Sequence, residues 1–453
     1  MTDDLIVLYE AVRSDLERDD PRKAVERLEE VTPSDVADLF RSLEGDERIA
    51  LVRAMPAERA AEVLAEIDDR SLVEVLEILQ DDEIVGMLDT LPSDDAADLV
   101  GYMDTDDQDR LIQLLREVDH QDAVELQELL RYPEDTAGGV MAKEYLAARR
   151  DQSVGTVQHL VRKLPDEELA SMHFCFVVDE AGRLVGQVGL LKLMLSPTEK
   201  PLHEVMEPDP LVAHVSDDQE EVANLFLWHD LLSLPIVDAG HRLVGRVTVD
   251  DAMDVLTEEA TEDVARLAGS SAEEFGETSV WRISRARLPW LMLGLVGQLF
   301  AALIMSGFEE SLRARVILTF FIPMVMATGG NTGIQTSSIM IRALVTHEFD
   351  RIRAGRHLAR ELGVSLLLGA VLGGLMVGVL TLWKQDPTVG VIIGVSLMTV
   401  VVMSAMVGSL VPLLCARIDV DPTLATGPFI TTTNDVLGLM AYLWIAHSLL
   451  QGG

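Results

Sequence analysis

One acid stands inside an apolar stretch near the C-terminus. The run GPFITTTNDVLGLMAYLWIA, residues 427–446, carries Asp435 among residues otherwise suited to lipid. A carboxylate at the centre of a membrane helix costs about 2.5–3.5 kcal/mol on insertion scales, so it faces protein or water and marks a candidate functional site. Helical spacing puts Thr431, Asp435 and Gly438 on one face with Asn434 alongside, which lines up a carboxylate, a hydroxyl and accessible backbone. Oxygen ligands with no thiol or imidazole nearby favour hard cations such as Mg2+, Ca2+ or Mn2+ over soft metals. A structural Asp bonded to a neighbouring helix is the plainer alternative.

A second apolar run, PMVMATGGNTGIQTSSIMIRAL from Pro323 to Leu344, has Gly329, Gly330, Asn331 and Gly333 at its middle and Gln335 just beyond. Irregular backbone at membrane depth is tolerated where it lines a cavity or is buried in protein. The amides of Asn331 and Gln335 favour a pore wall, in which Gly329, Gly330, Asn331 and Gly333 loosen the backbone and present carbonyls to an ion. Close helix packing through small residues is the rival reading. A third stretch, VTVDDAMDVLTEEATED, repeats acids at three- and four-residue intervals: Asp251, Asp254, Glu258, Glu259, Glu262 and Asp263. Like charges so stacked repel, at a few tenths of a kcal/mol per pair. Either water solvates that face or a divalent cation neutralises it.

The elements that must position these groups divide the 453 residues sharply by charge. Residues 1–281 hold 24 Lys+Arg against 67 Asp+Glu, net −43, whereas residues 282–453 hold 12 against 9, net +3. The second part has apolar runs near 288–308, 316–345, 358–383, 388–415 and 427–450, each close to the roughly 20 residues that cross a bilayer. Arg282, Arg285 and Arg287 precede the first run, and Arg342, Arg351, Arg353, Arg356 and Arg360 crowd the link between the second and third. The positive-inside rule makes both segments cytoplasmic, so five spans leave the N-terminus in the cytosol and the C-terminus outside the cell inner membrane. The first residues lack the basic start and apolar core of a signal peptide. Two cysteines without CxxC spacing, and histidines in no HExxH or paired cluster, argue against zinc.

Residues 1–130 read as an acidic helical domain. Met55-Pro56 and Leu91-Pro92 head similar segments 36 residues apart, a sign of stacked helix pairs in a superhelix. Residues 131–200 and 201–257 then form a repeated α/β unit: Val140-Met141 recurs as Val205-Met206, and FVVDEAGRLVG (176–186) recurs as IVDAGHRLVG (236–245). The repeat resembles a tandem pair of CBS domains, which commonly sense adenine nucleotides or metal ions; the residues themselves leave ATP occupancy open. Residues 258–285 are expected to be a connecting helix and linker, and 286–453 an all-α domain of five membrane helices. The fold class is thus multidomain: a superhelical α-domain, an α/β CBS pair and a five-helix transmembrane domain.

This whole arrangement, with the motifs PMVMATGGNTGIQTSS and TTTNDVLGLMAYL, resembles the MgtE magnesium channels over essentially the entire chain. The resemblance implies a homodimer with a magnesium-selective pore on its axis, where Asp435 is the pore acid beside Thr431, Gly330 and Asn331. Two carboxylates from two copies would suit Mg2+, which sheds water reluctantly. It also implies that Mg2+ is a regulatory ligand, closing the pore by binding between the N-domain, the CBS pair and the connecting helix. The matching acids are Asp251, Asp254, Glu259, Glu262 and Asp263, with Glu220 and Asp230 in the second CBS unit, Asp94 and Asp98 in PSDDAADL, and Asp421 at the cytoplasmic mouth.

Two competing readings remain at this point. A proton-coupled transporter would use Asp435 as its proton carrier, although no inverted repeat is evident among the spans. A membrane-bound sensor without a pore would keep the acidic domains and conduct nothing. An enzyme is not expected, since GxGxxG and GxxxxGK[ST] are both absent, and neither is a nucleic-acid partner. Six lysines against 30 arginines, with the excess of acid, also fit a salt-rich cytoplasm in which acidic surfaces stay solvated.

Overall fold

The computed structural model describes residues 3–40, 42–165, 169, 171–268, 270, 279–345, 354–418, 420 and 427–451. The chain forms two compact units, Met1–Glu259 and Ala260–Gly453. The first opens with short helices: α1 (Asp3–Glu17), α2 (Pro21–Leu28), α3 (Pro33–Phe40), α4 (Gly45–Ala54), α5 (Ala57–Ala65), α6 (Asp69–Leu76), α7 (Asp81–Leu88), α8 (Ser93–Gly101), α9 (Thr105–Val118) and α10 (His120–Leu129). Alternate helices stack, α3 on α5, α5 on α7 and α7 on α9, while α2 meets α4 and α4 meets α6. That is the expected superhelix. Its local signal recurs with the 36-residue period. Glu44 and Glu47 make a capping box at the start of α4, and Gln80 and Glu83 repeat it at the start of α7. Pro56 and Pro92 are the N-caps of α5 and α8.

The α/β repeat follows as two sheets. The first has the order β1 (Leu146–Arg149), β2 (Phe174–Val178), β3 (Leu184–Gly189), β4 (Glu207–Pro208), and the second the order β5 (Ala213–His214), β6 (Ser233–Val237), β7 (Leu243–Thr248). In each, a parallel pair is followed by an antiparallel hairpin with a bulge at the same place, Val177/Val178 and Ile236/Val237. The connecting helices are α11 (Val154–Val161), α12 (Leu190–Leu195) and α13 (Gln219–His229). The two units exchange their opening segments. Met206 and Glu207 lie on Gly186 of the first sheet, whereas Met141 and Ala142 lie on Gly245 of the second. Backbone bonds between Ala142 and Arg246 fix that exchange. The tandem motifs are therefore neighbours across the pair rather than within one unit.

The hairpin turns show how the repeat is kept by chemistry. Asp179 accepts from the amides of Ala181 and Arg183, and Asp238 accepts from those of Gly240 and Arg242. The third turn position is left-handed in both, at Gly182 (φ 78°) and His241 (φ 61°). A Cβ at Gly182 would meet open space. Gly182→Ala is therefore expected to destabilise the first unit by about 1 kcal/mol through backbone strain alone, seen as a lower urea midpoint at unchanged slope.

One apolar core joins the helical stack to the second sheet, running from Val12 and Phe40 through Leu99 and Leu126 to Ile236, Val247 and Ala252. The first sheet has a separate core around Cys175 and Val188. Phe176, Leu184, Val237 and Leu243 seal the two sheets together. Because the helical stack shares its core with the second sheet, the start of α8 is held against the residues that follow β7.

After β7 the chain continues as α14 (Val249–Ala268), so the acidic helix starts earlier than expected. The membrane part comprises α15 (Val280–Gly307), α16 (Glu309–Ala314), α17 (Ile322–Val345), α18 (Ala354–Lys384), α19 (Pro387–Arg417) and α20 (Gly427–Gln451). Among the described residues four helical stretches are long and apolar enough to cross a membrane: Val280–Gly307, Val316–Leu344, Gly355–Lys384 and Pro387–Arg417. The fifth expected span, α20, has 25 residues, a crossing length of about 37 Å, but Thr431–Asp435 and His447 dilute its apolar character. It is held by protein instead, packing on α15, α17 and α19. Helix α19 is the hub, with 61% of its apolar window buried against 11% for α15. The linker residues 271–278, and Arg351 and Arg353 of the expected cytoplasmic link, lie outside the described residues.

Candidate cation sites

In the first unit, carboxylates from two helix starts meet. Asp94 and Asp95 occupy the first turn of α8, where a helix N-terminus favours negative charge. Ser93 ties this turn to the chain ahead of β1: its amide and hydroxyl donate to Glu144, at 3.1 and 2.9 Å, and its hydroxyl accepts from the Lys143 amide. Asp250 and Asp251 occupy the first turn of α14, and Asp251 is fixed by the amide and hydroxyl of Thr248.

Burial and mutual repulsion raise the carboxyl pKa values of Asp94, Asp95, Asp98, Asp251 and Asp254. Asp94 is pushed well above the usual range, by burial first and then by Asp251, Asp95 and Glu144. Asp95 rises to about 7, by burial, Asp251 and Glu66, and Asp98 rises to about 7, by burial, Asp95 and Glu134. Asp251 and Asp254 also rise, chiefly by burial, although the Thr248 bonds oppose the shift at Asp251. The buried Arg246 lies in the field of Asp94, Glu144 and Asp251, and its guanidinium donates to the Ser171 carbonyl and hydroxyl at 2.6 and 2.8 Å. Such a donor set fits a hard divalent cation. Among the described residues no three His, Cys, Asp or Glu side chains converge as a ready-made chelate. An ion here would keep much of its water, as Mg2+ does.

The structure thus brings together four of the expected acids, Asp94, Asp98, Asp251 and Asp254, and adds Asp95, Asp250, Glu66 and Glu144. Spacing along α14 could not find Asp95 or Glu144, because they arrive through the shared core. Other expected acids lie elsewhere. Glu259 accepts from Gln219 at 2.9 Å, beside Glu220 at the start of α13. Asp230 closes the far end of the same helix in a left-handed conformation, about 15 Å along its axis from Glu220. One ion cannot be shared by Glu220 and Asp230. Glu262 pairs with Arg266 one turn on, and Glu262 and Asp263 belong to the second unit. Asp421 lies outside the described residues.

In the membrane unit Asp435 is half-buried on α20, and its Oδ2 accepts from Gln298 Nε2 of α15 at 2.7 Å. Helices α15 and α20 run side by side in the same direction. Gly297 meets Thr432, and further along Ser311 bonds His447 at 2.7 Å. Helix α17 runs antiparallel to α20, with Met326 against Gly438 and Gly333 against Ile430 and Asn434. A Cβ added at Gly330 would lie 3.8 Å from Thr431 Cγ2, so these two expected residues are neighbours.

The expected loosening of the backbone does not occur. Helix α17 is continuous through Gly329–Gly333. The rival reading applies to Gly329 and Gly333: a Cβ at Gly329 would lie 2.6 Å from Val400 and one at Gly333 would lie 1.9 Å from the Asn434 amide nitrogen. The glycines make room for α19 and α20, and the carbonyl of Gly333 in turn lies 2.5 Å from where a Cβ on Gly408 would sit. Asn331 and Gln335 are exposed on another face of α17, one helical turn apart. Asn434 is buried with neither amide atom hydrogen-bonded. Gln298 could not be found from sequence, because nothing in its own stretch distinguishes a membrane Gln that pairs with an acid 137 residues later.

Comparison with known proteins bears on these sites. Residues 322–445 match a family model described as MgtE, divalent cation transporter, residues 31–135 match the MgtE intracellular N domain, and residues 202–258 match a CBS domain. The chain is 38% identical over 442 residues to the magnesium transporter MgtE of Thermus thermophilus, covering 96% of this chain and 97% of the relative. It is 35% identical to the magnesium transporter MgtE of Bacillus subtilis, covering 74% of each. A crystal structure of the cytosolic domain of the Mg2+ channel MgtE in complex with ATP is similar with a TM-score of 0.50 at 34% identity. That match covers 55% of this chain and 99% of the other.

Proposed function

The chain belongs to the MgtE family of magnesium transporters, and from that premise we propose that it is a homodimeric Mg2+ channel that closes when cytosolic Mg2+ rises. The observation that carries the reading is the carboxylate of Asp435 at membrane depth, tethered by Gln298 and beside Thr431. Asp435, Gln298, Asn331 and Gln335 all keep solvent-accessible surface on a membrane protein. Polar groups do not face lipid cheaply, so a second copy and a shared aqueous path cover them. Two symmetry-related Asp435 carboxylates then attract one largely hydrated Mg2+, with Thr431 and Asn331 bonding its waters. The N-terminus and the links carrying Arg282 and Arg356 lie in the cytosol, and the C-terminus lies outside.

Gating follows from the meeting of α8 and α14. Without Mg2+ the ionised acids repel, and the helical stack parts from the second CBS unit. With Mg2+ between them the two close, and α14 transmits the closure to the membrane unit. An ion shifts this equilibrium only by binding the closed arrangement better. Glu259, Glu262, Asp263, Glu220, Asp230 and Asp421 supply further weak sites, which make the response cooperative. ATP, present with the cytosolic domain of the similar channel, is proposed to bind this chain's CBS pair and to bias the same equilibrium.

The test uses the full chain in proteoliposomes. Raising Mg2+ on the cytosolic face is expected to shut Mg2+ influx and to shield the cytosolic unit from protease, while KCl of equal ionic strength does neither. Equal protection by KCl would reduce the acidity to salt adaptation, and impermeable liposomes would leave a sensor without a pore.

A further inference from the structure

We propose that Gln298 sets the preference for Mg2+ over Ca2+ by occupying one oxygen of Asp435; this rests on the reading of Asp435 as the pore acid. Gln298 Nε2 donates to Asp435 Oδ2 at 2.7 Å. The bond joins two helices whose relative position is set independently. Gly297, the preceding residue, has no room for a Cβ against Thr432, and Ser311 with Phe308 grips His447 three turns further on. The two helices are therefore held where the Gln298 amide reaches the carboxylate.

A carboxylate whose Oδ2 already accepts a hydrogen bond keeps one lone-pair direction there against two on Oδ1, so a cation meets Oδ1 more readily than both oxygens at once. That difference is selective. Ca2+ takes six to eight oxygens and uses carboxylates in bidentate fashion, whereas Mg2+ keeps an octahedral shell of waters and accepts single-point or water-mediated contacts. The Gln298 bond competes with bidentate Ca2+ for Oδ2 and leaves Oδ1 free for a water of hydrated Mg2+. The amide also fixes the plane of the carboxylate, so the free oxygen points in one direction. Gln298 is a positioning residue, since it acts on the ion through Asp435.

The experiment measures Ca2+ and Mg2+ influx separately, and Ca2+ inhibition of Mg2+ influx, with the full chain in proteoliposomes. Gln298→Met keeps the length and removes the donor. It is expected to raise the Ca2+:Mg2+ flux ratio by about tenfold and to lower the half-inhibiting Ca2+ concentration by a similar factor. Gln298→Glu, of the same shape but without a donor when ionised, is expected to move both in the same direction and further. A merely structural role would reduce the two fluxes together and leave their ratio unmoved; an unmoved ratio in whichever variant assembles in the membrane overturns the proposal. Asp435→Ala is measured alongside. If it abolishes flux while the Gln298 variants keep the native ratio, only the selectivity role fails; if it leaves flux intact, the pore reading fails first.

Discussion

Asp435→Ala is expected to reduce Mg2+ influx at least about a hundredfold. At an effective dielectric constant of 20, a divalent ion about 5 Å from one carboxylate gains roughly 7 kcal/mol of attraction, and the proposed dimer supplies the group twice. Most of that gain offsets the water the ion gives up. If as little as a third survives per carboxylate, losing both removes more than 4 kcal/mol, which is about three orders of magnitude in occupancy. Asp435→Asn separates charge from shape: it can still accept from Gln298 but carries no charge, and it is expected to fail nearly as badly. Isotope or fluorescent-indicator uptake, normalised to the amount of dimer in the membrane, measures both. Uptake by Asp435→Asn near the native rate would mean that the residue matters for packing, and the charge would then have no part in conduction.

What the sequence made legible, and what it hid, follows from the range of the forces involved. The stacked helices could be read because their signals are local: a Pro cap or a capping box lies within four residues of the turn it fixes, and the period of 36 repeats it. The CBS repeat was legible for the same reason, each turn being closed by its own aspartate. Asp435 stood out because an acid in an apolar run violates the pattern around it. The glycines of α17 did not reveal their use, since the same residues serve a broken helix or a closely packed one. Only the neighbours at Gly329 and Gly333, Val400 and Asn434, decide between them. Asp95 and Glu144 stayed hidden because they reach the acidic cluster through a core shared between residues far apart in sequence, and Gln298 because its partner is on another helix.

The cytosolic cluster makes a prediction in which the sign is fixed. In the folded protein without divalent ions Asp95 and Asp98 titrate near 7, against about 3.8 for an unperturbed Asp. Between about pH 4 and pH 7 the folded state therefore binds more protons than the unfolded chain, so stability falls as pH rises through that window. From pH 4 to pH 8 the first unit is expected to loosen steadily, with a falling midpoint in urea and faster proteolysis. Mg2+ acts on the same groups as the proton does, but only where they are ionised. At pH 8 and tenfold above its dissociation constant, each bound ion restores about 1.4 kcal/mol; at pH 5 it has little to bind. Near pH 6.5 Mg2+ must expel protons, a release that calorimetry in buffers of different ionisation enthalpy reads directly. The double variant Asp95→Asn, Asp98→Asn lowers the repulsion and removes two of the ligands, while Asp94, Asp251 and Asp254 stay. It is expected to be more stable than the native chain at pH 8 without Mg2+, to release fewer protons, and to close only weakly in response to Mg2+ on the side of the first unit. Unaltered closure by Mg2+ in that variant would move the sensor away from α8, toward the acids farther along α14.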